Sequence, residues 1–322
     1  MASSRLNILY ILEILREESD PDHILSMSEI RKKLSLYYDI NLDRRTITSA
    51  INDLIDFGID ISTFADNSKG YYLIDRPLEK SETYLLMDAI FSLAYIDRDQ
   101  CTELLRKIDK SQSKYQRSVD KYISQTDFYG SKRTSNKEVF LNIEIINEAI
   151  EENHQIEFTY LTYGPNKKLV SRRDRPYKLN AYRILADNKK YYLLGTTPGF
   201  KNILSFRIDF IKDIKILDEN RDSFREDDLN RLIEKASHAF FGKPSFIKIR
   251  FDKDILTYVI DQFGTDIKIR EDGKYYLGEF LAPEKGIEYR ALQFLPYVEV
   301  IELKSLRESI VRILKDNLYT LE

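Results

Sequence analysis

Eleven Lys or Arg residues fall between Lys167 and Arg207, where only Asp174 and Asp187 oppose them. A segment of a chain whose formal charge is −3 thus carries an excess of nine positive charges (eleven minus two). Six aromatic residues, Tyr177, Tyr182, Tyr191, Tyr192, Phe200 and Phe206, are interleaved with that charge. Charge so dense must be solvated, paired or bound, and with aromatic faces beside it the segment suits an anion or a nucleic acid: rings stack bases and cations hold phosphates.

The same region has the alternation of short half-buried strands. Ile156, Phe158 and Tyr160 alternate in QIEFTYLTY after the helical pattern VFLNIEIINEAIEEN, and further strands are predicted near Leu179–Leu185, Tyr191–Gly195, Ile203–Asp209 and Ile214–Leu217. Alternation places one of Tyr191 and Tyr192 inside and the other outside. Arg172-Arg173-Asp174-Arg175 reads as a solvated loop. Arg207 differs, because its strand is otherwise Leu204, Phe206 and Ile208. Charge there is costly unless it meets a carboxylate or a bound anion.

Upstream, Leu6, Leu9, Tyr10 and Leu12 recur at helical spacing. Ser26-Met27-Ser28-Glu29 forms a capping box for a second helix with Ile30, Leu34 and Tyr37 on one face. Asp43 caps a third, DRRTITSAINDLID, which turns Ile47, Ile51 and Leu54 inward, leaves Arg44, Arg45, Thr48, Ser49 and Asn52 on the other side, and ends at Gly58. IDISTFADNSKGYYLI then reads as a β-hairpin. Three helices and a hairpin predict a winged helix-turn-helix, whose third helix enters the major groove. This segment has nine basic and thirteen acidic residues, yet five basic residues face three acids between Ser26 and Ser49. The excess acid sits at Glu13–Asp22 and Asp53–Asp60, which leaves room for a basic docking face.

Beyond Pro77, Leu85, Leu86, Ala89 and Leu93, then Leu104, Leu105 and Ile108, predict a helical connector, and QTDFYGSKRTSNKE is the expected hinge. The C-terminal part alternates strand (Phe246–Phe251), helix (Asp254–Phe263), two strands across Asp272-Gly273, helix (Pro283–Phe294), strand YVEVIEL and a last helix, an order that predicts a ferredoxin-like layer. With 43% hydrophobic and 32% charged residues in a 322-residue chain, the composition is that of a multidomain globular protein. No apolar run approaches the roughly 20 residues that span a bilayer. The acidic turn after MASSRLNILYILEILREE predicts a helix and not a signal peptide. A lone Cys101 fits a reducing cytoplasm. His23, His154 and His238 lack metal-ligand spacing, and no phosphate-cradling GxxxxGK[ST] loop is present, so neither enzyme, metal nor cofactor is expected.

Pro176, then Tyr191-Tyr192-Leu193, then Phe206-Arg207-Ile208-Asp209, resembles the WYL domain pattern. Tyr191 stands where the family usually has Trp, and Phe210 where many members have a second Arg. The Arg-Arg-Thr opening of the third helix and Lys69-Gly70-Tyr71-Tyr72 are similar to the helix-turn-helix that precedes WYL domains, and VEVIELKSLRESI resembles the extension that follows them. The resemblance implies a multidomain α+β chain. It has a winged helix-turn-helix at 1–76, a helical connector at 77–135, an Sm-like small β-barrel that senses ligand at 136–220, and a ferredoxin-like module at 243–322.

It further implies a cytoplasmic, ligand-responsive transcription regulator acting as a homodimer on a double-stranded DNA operator. Arg44, Arg45, Thr46, Thr48, Ser49, Asn52, Lys69 and Tyr71 are the DNA-binding candidates. Tyr160, Arg172, Arg173, Arg175, Tyr177, Tyr182, Tyr191 and Arg207 are the candidates for an anionic ligand, a single-stranded nucleic acid or a nucleotide. An accessory protein that binds RNA or single-stranded DNA without regulating a promoter is the alternative, and an enzyme acting on nucleotides stands third.

Overall fold

The computed structural model describes residues 6–123, 133–187, 189–234 and 244–316, and the chain divides into two compact units, 1–137 and 138–322. The first opens with α1 (Asn7–Glu18), α2 (Met27–Tyr38) and α3 (Arg44–Asp56). The capping box at Ser26 and Glu29 forms as read, with the Ser26 N–H donating to Glu29 at 2.8 Å. Asp43 accepts from the Thr46 N–H at 3.0 Å and starts α3. Ile47, Ala50, Ile51 and Leu54 of α3 close a core with Ile11, Ile14, Leu15, Ile30 and Leu34.

The expected long hairpin is shorter and interrupted. β1 (Ile61–Ser62) pairs with β2 (Tyr72–Leu73) over two residues each, and the one-turn helix α4 (Phe64–Asn67) lies between them. A second capping box explains the difference: Asp66 accepts from the Thr63 N–H and hydroxyl, both at 2.8 Å, so Thr63 nucleates a helical turn where alternation predicts strand.

α5 (Lys80–Phe91) and α6 (Arg98–Asp109) follow. The segment after α6 is fastened to the three-helix part through buried polar groups. Glu18, 4% exposed, accepts from Lys33 (2.8 Å), Tyr37 (2.7 Å) and Lys114 (2.6 Å). Burial alone would raise its carboxyl, but the hydrogen bonds from Lys114, Lys33 and Tyr37 hold it at about 2. Arg76 donates to the carbonyls of Arg16 (3.1 Å), Ser19 (2.6 Å) and Ser111 (3.2 Å). Of the expected hinge, residues 125–132 lie outside the described residues. Beyond them, Arg133 donates to the carbonyls of Leu93 (2.6 Å) and Phe91 (2.5 Å), which fastens that end to α5.

In the second unit, α7 (Val139–Glu152) packs on an antiparallel sheet of β3 (His154–Tyr163), β4 (Leu169–Ser171), β5 (Tyr177–Asp187), β6 (Lys190–Thr196), β7 (Ile203–Arg207) and β8 (Ile211–Asn220). The strand order is β4-β3-β5-β6-β7, and β8 also pairs with β3, so the sheet curls. Six strands form where five are predicted, the addition being β4 inside the basic segment. The predicted strand to Asp209 stops at Arg207, because Ile208–Phe210 makes a 3-10 turn.

Tyr191 and Tyr192 are both half-buried, against the simple alternation, while Leu193 and Leu194 are fully buried. The outer face is covered too: Tyr182, Leu194 and Leu229 of α8 (Glu226–Glu234) form a buried cluster with Leu185, Ile203 and Phe224 around it. The remaining elements form a four-stranded antiparallel sheet, β10-β11-β9-β12, from β9 (Ser245–Asp252), β10 (Lys268–Asp272), β11 (Tyr275–Ala282) and β12 (Val298–Glu302). Helices Leu256–Phe263, Glu284–Gln293 and Lys304–Lys315 contribute Val259, Ile287 and Ile310 to its core.

Candidate nucleic-acid interface and ligand site

In the first unit, helical geometry sorts α3 into two faces. Arg44, Arg45, Ser49 and Asn52 are exposed and Thr48 partly so, opposite the buried Ile47, Ala50, Ile51 and Leu54. Thr46 is committed locally, since its hydroxyl donates to Asp43 at 2.8 Å. Lys69 is exposed, whereas Tyr71 leans on the core and exchanges backbone hydrogen bonds with Leu25 at 2.8 and 2.9 Å. Gly70 permits that approach: a Cβ there would lie 2.2 Å from the Leu25 carbonyl oxygen. Ser28, Arg31, Arg44, Phe64 and Lys69 line an open cleft between α2, α3 and the α4 turn.

In the second unit an aromatic cluster fills the space between β3, β5 and β7. Tyr177 stacks on Phe158 with centroids 5.6 Å apart, and Phe206 meets Phe158, Tyr160 and Tyr177 edge to face at 5.0 to 5.2 Å. Guanidinium groups flank it. Arg173 lies 3.4 Å from the Tyr177 ring centroid while donating to the carbonyls of Arg175 (2.9 Å) and Pro176 (2.7 Å), so this charge orders its own loop. Arg207 lies 4.0 Å from the Phe210 centroid, and its backbone N–H donates to the Tyr160 hydroxyl at 3.1 Å.

Arg207 also meets the carboxylate that its position demands: Nε donates to Asp209 at 3.0 Å and Nη2 at 2.5 Å, with Asp209 only 2% exposed. Burial works against the Arg207 charge, and hydrogen bonding to Asp209 more than restores it, so its pKa is raised. Nearby, burial and then the Arg207 charge push the Lys190 ammonium down, and burial raises the Tyr192 phenol directly across from Arg207 on β6. Tyr163, 58% exposed, extends the aromatic surface to Phe210 at 5.6 Å.

Of the ligand-site candidates, Tyr160, Tyr177, Arg173 and Arg207 come together. Arg172 borders them through its N–H on the Tyr160 carbonyl (2.8 Å), with an exposed side chain, as has Arg175. Tyr182 is not part of this group: its hydroxyl bonds Thr196 (3.0 Å) and the Asp222 carbonyl (3.1 Å) in the cluster under α8. Tyr191 is half-buried on β6, where it pairs with Ala186 of β5. Tyr163, Lys190, Asp209 and Phe210 were not among the site candidates, although Lys190 belongs to the basic segment and Asp209 and Phe210 end the motif that holds Arg207. Tyr163 stands at the exposed end of an alternating strand.

The sequence matches the WYL domain over residues 142–216, from α7 into β8. No curated protein matches it. Among solved structures it is similar to proteasome accessory factor B/C (PafBC) of Arthrobacter aurescens, with 13% identity and a TM-score of 0.30, over 97% of this chain and 48% of that one. The chain therefore spans about half the length of that protein. It is also similar to a CRISPR Cas-related protein, with 15% identity and a TM-score of 0.40, over 93% of this chain and 95% of the other. No helix among the described residues is long and apolar enough to cross a membrane.

Proposed function

We propose that this protein is a ligand-responsive, DNA-binding transcription regulator, in which the first unit is a winged helix reader and the WYL domain senses a nucleotide or a short single-stranded nucleic acid. The observation that carries this reading is the two-faced α3, whose exposed Arg44, Arg45, Ser49 and Asn52 stand over a buried apolar face. Arg suits phosphates and guanine edges, and Asn suits adenine edges. The WYL domain, with exposed Arg172 and Arg175 beside a flanked aromatic cluster, supports the sensor half. In this reading the protein is a homodimer, since one reader covers only a short half-site and two-fold pairing lengthens recognition. It carries out no catalysis.

For the ligand to act as a switch it has to bind one arrangement of the readers better than another, because equal affinity shifts no population. A gel shift of the full chain on duplex DNA from its own upstream region, with and without added single-stranded oligonucleotide, tests both halves. Duplex preference that survives added salt and changes with the oligonucleotide is the expected result. Binding to single strands or RNA with no duplex preference would favour the accessory reading, to which the exposed Tyr163 beside Phe210 lends weight.

A further inference from the structure

The α4 turn is the part of the first unit that neither its core nor the sequence reading accounts for. Its four residues bury nothing, and Phe64 is 58% exposed. Yet the turn is held from both sides. Thr63 and Asp66 close the capping box, and the Asn67 side chain donates to Ser62 (2.8 Å) and the Gly70 carbonyl (3.1 Å). The same side chain accepts from the N–H groups of Lys69 (2.7 Å) and Gly70 (2.9 Å). A large apolar ring is thus carried in water on a rigid support. It borders the cleft shared with Ser28, Arg31, Arg44 and Lys69, and among the described residues no carboxylate lines that cleft. The Arg31 Nε is spent on the Leu42 carbonyl at 3.1 Å, which fixes the stem and leaves its terminal nitrogens for another partner.

A firmly held apolar ring that shares one cleft with three cations matches the demands of a strongly deformed duplex: an apolar wedge opens a base step from the minor groove, and cations hold the phosphates that the kink draws together. We infer that Phe64 is such a wedge, that Arg31, Arg44 and Lys69 take the flanking phosphates, and that this protein kinks the duplex it reads. The inference rests on the first unit being the DNA reader and adds to it a bending activity and the residue responsible. Rigidity matters to the step, because unstacking two base pairs is driven only by a side chain that does not fold away, and the Asn67 hydrogen bonds supply that support.

The test uses duplexes that the wild-type full chain selects from a random-sequence library, with the bend read by circularly permuted fragments and by end-to-end energy transfer. Wild type is expected to bend its duplex by about 20–90°. Phe64→Ala is expected to lose most of the bend and about three- to thirtyfold in affinity, while Phe64→Trp restores the bend. The ring's exposure lets the thermal melt of Phe64→Ala match wild type. Lys69→Ala is expected to keep the bend and to lower the slope of log affinity against log salt by about one. An unchanged bend in Phe64→Ala, or a straight duplex under wild type, overturns the wedge and leaves the reader standing. Failure to select any duplex overturns both.

Discussion

Arg207 and Asp209 form a two-point ion pair across a single intervening residue, with Nε–Oδ1 at 3.0 Å and Nη2–Oδ2 at 2.5 Å, and Asp209 is 2% exposed. Residues two apart on a continuous strand point the same way but stand well apart. The 3-10 turn at Ile208–Phe210 brings the carboxylate back under the guanidinium and the Phe210 ring against its face.

Arg207→Ala therefore removes more than a ligand contact. It takes the guanidinium away from a buried carboxylate and is expected to cost about 3 kcal/mol of stability. Urea melts check this, and Arg207→Ala/Asp209→Ala is expected to recover part of the loss. If the single variant melts like wild type, the pair is not structural. Ligand titrations on Arg207 variants are to be read beside those melts.

The sequence carried the amphipathic helices and most strands well, since their periodicities are local: α3 begins and ends at the Asp43 cap and beside Gly58, as read. What it did not carry depends on partners. Arg207 on an apolar strand correctly signals a charge in need of an opposite charge, but only the turn after β7 shows that Asp209 is brought beneath it. Tyr182 belongs to the same basic, aromatic run as Tyr177, and nothing local tells that one ring joins the flanked cluster and the other the core beneath α8. The α4 turn escaped because Thr63 and Asp66 sit inside an alternating pattern, where the capping box outweighs it.

On α3, Arg45→Ala and Asn52→Ala are each expected to weaken duplex binding by roughly 1 to 3 kcal/mol and to relax specificity at single positions. Both side chains are exposed, so melts are expected to stay unchanged. Wild-type binding by the double variant would show that α3 does not read the duplex.

The stability of the first unit is expected to depend on acid through Glu18. Its carboxyl is lowered from 4.5 to about 2 in the folded chain. The stabilisation is thus fully present above about 4.5 and is lost as pH falls through about 2, for a total on the order of 3 kcal/mol. Glu18→Gln is expected to flatten that acid limb in melts followed from neutral pH downward. An identical limb in the variant would assign it to other carboxylates.

Gly70→Ala places a Cβ 2.2 Å from the Leu25 carbonyl oxygen and 2.7 Å from its carbon, both backbone atoms with little freedom to move. A loss of about 1–3 kcal/mol or more is expected, together with faster hydrogen exchange at the Tyr71 amide, which Leu25 now protects. A neutral melt would mean that this approach of β2 to Leu25 is not fixed in solution.

Arg76 gathers carbonyls from Arg16, Ser19 and Ser111 onto one guanidinium. One planar fork holds the end of α1 by two carbonyls and the segment after α6 by a third. The joint at Arg76 thus sits at the end of α1, the helix whose inner face shares one core with α3.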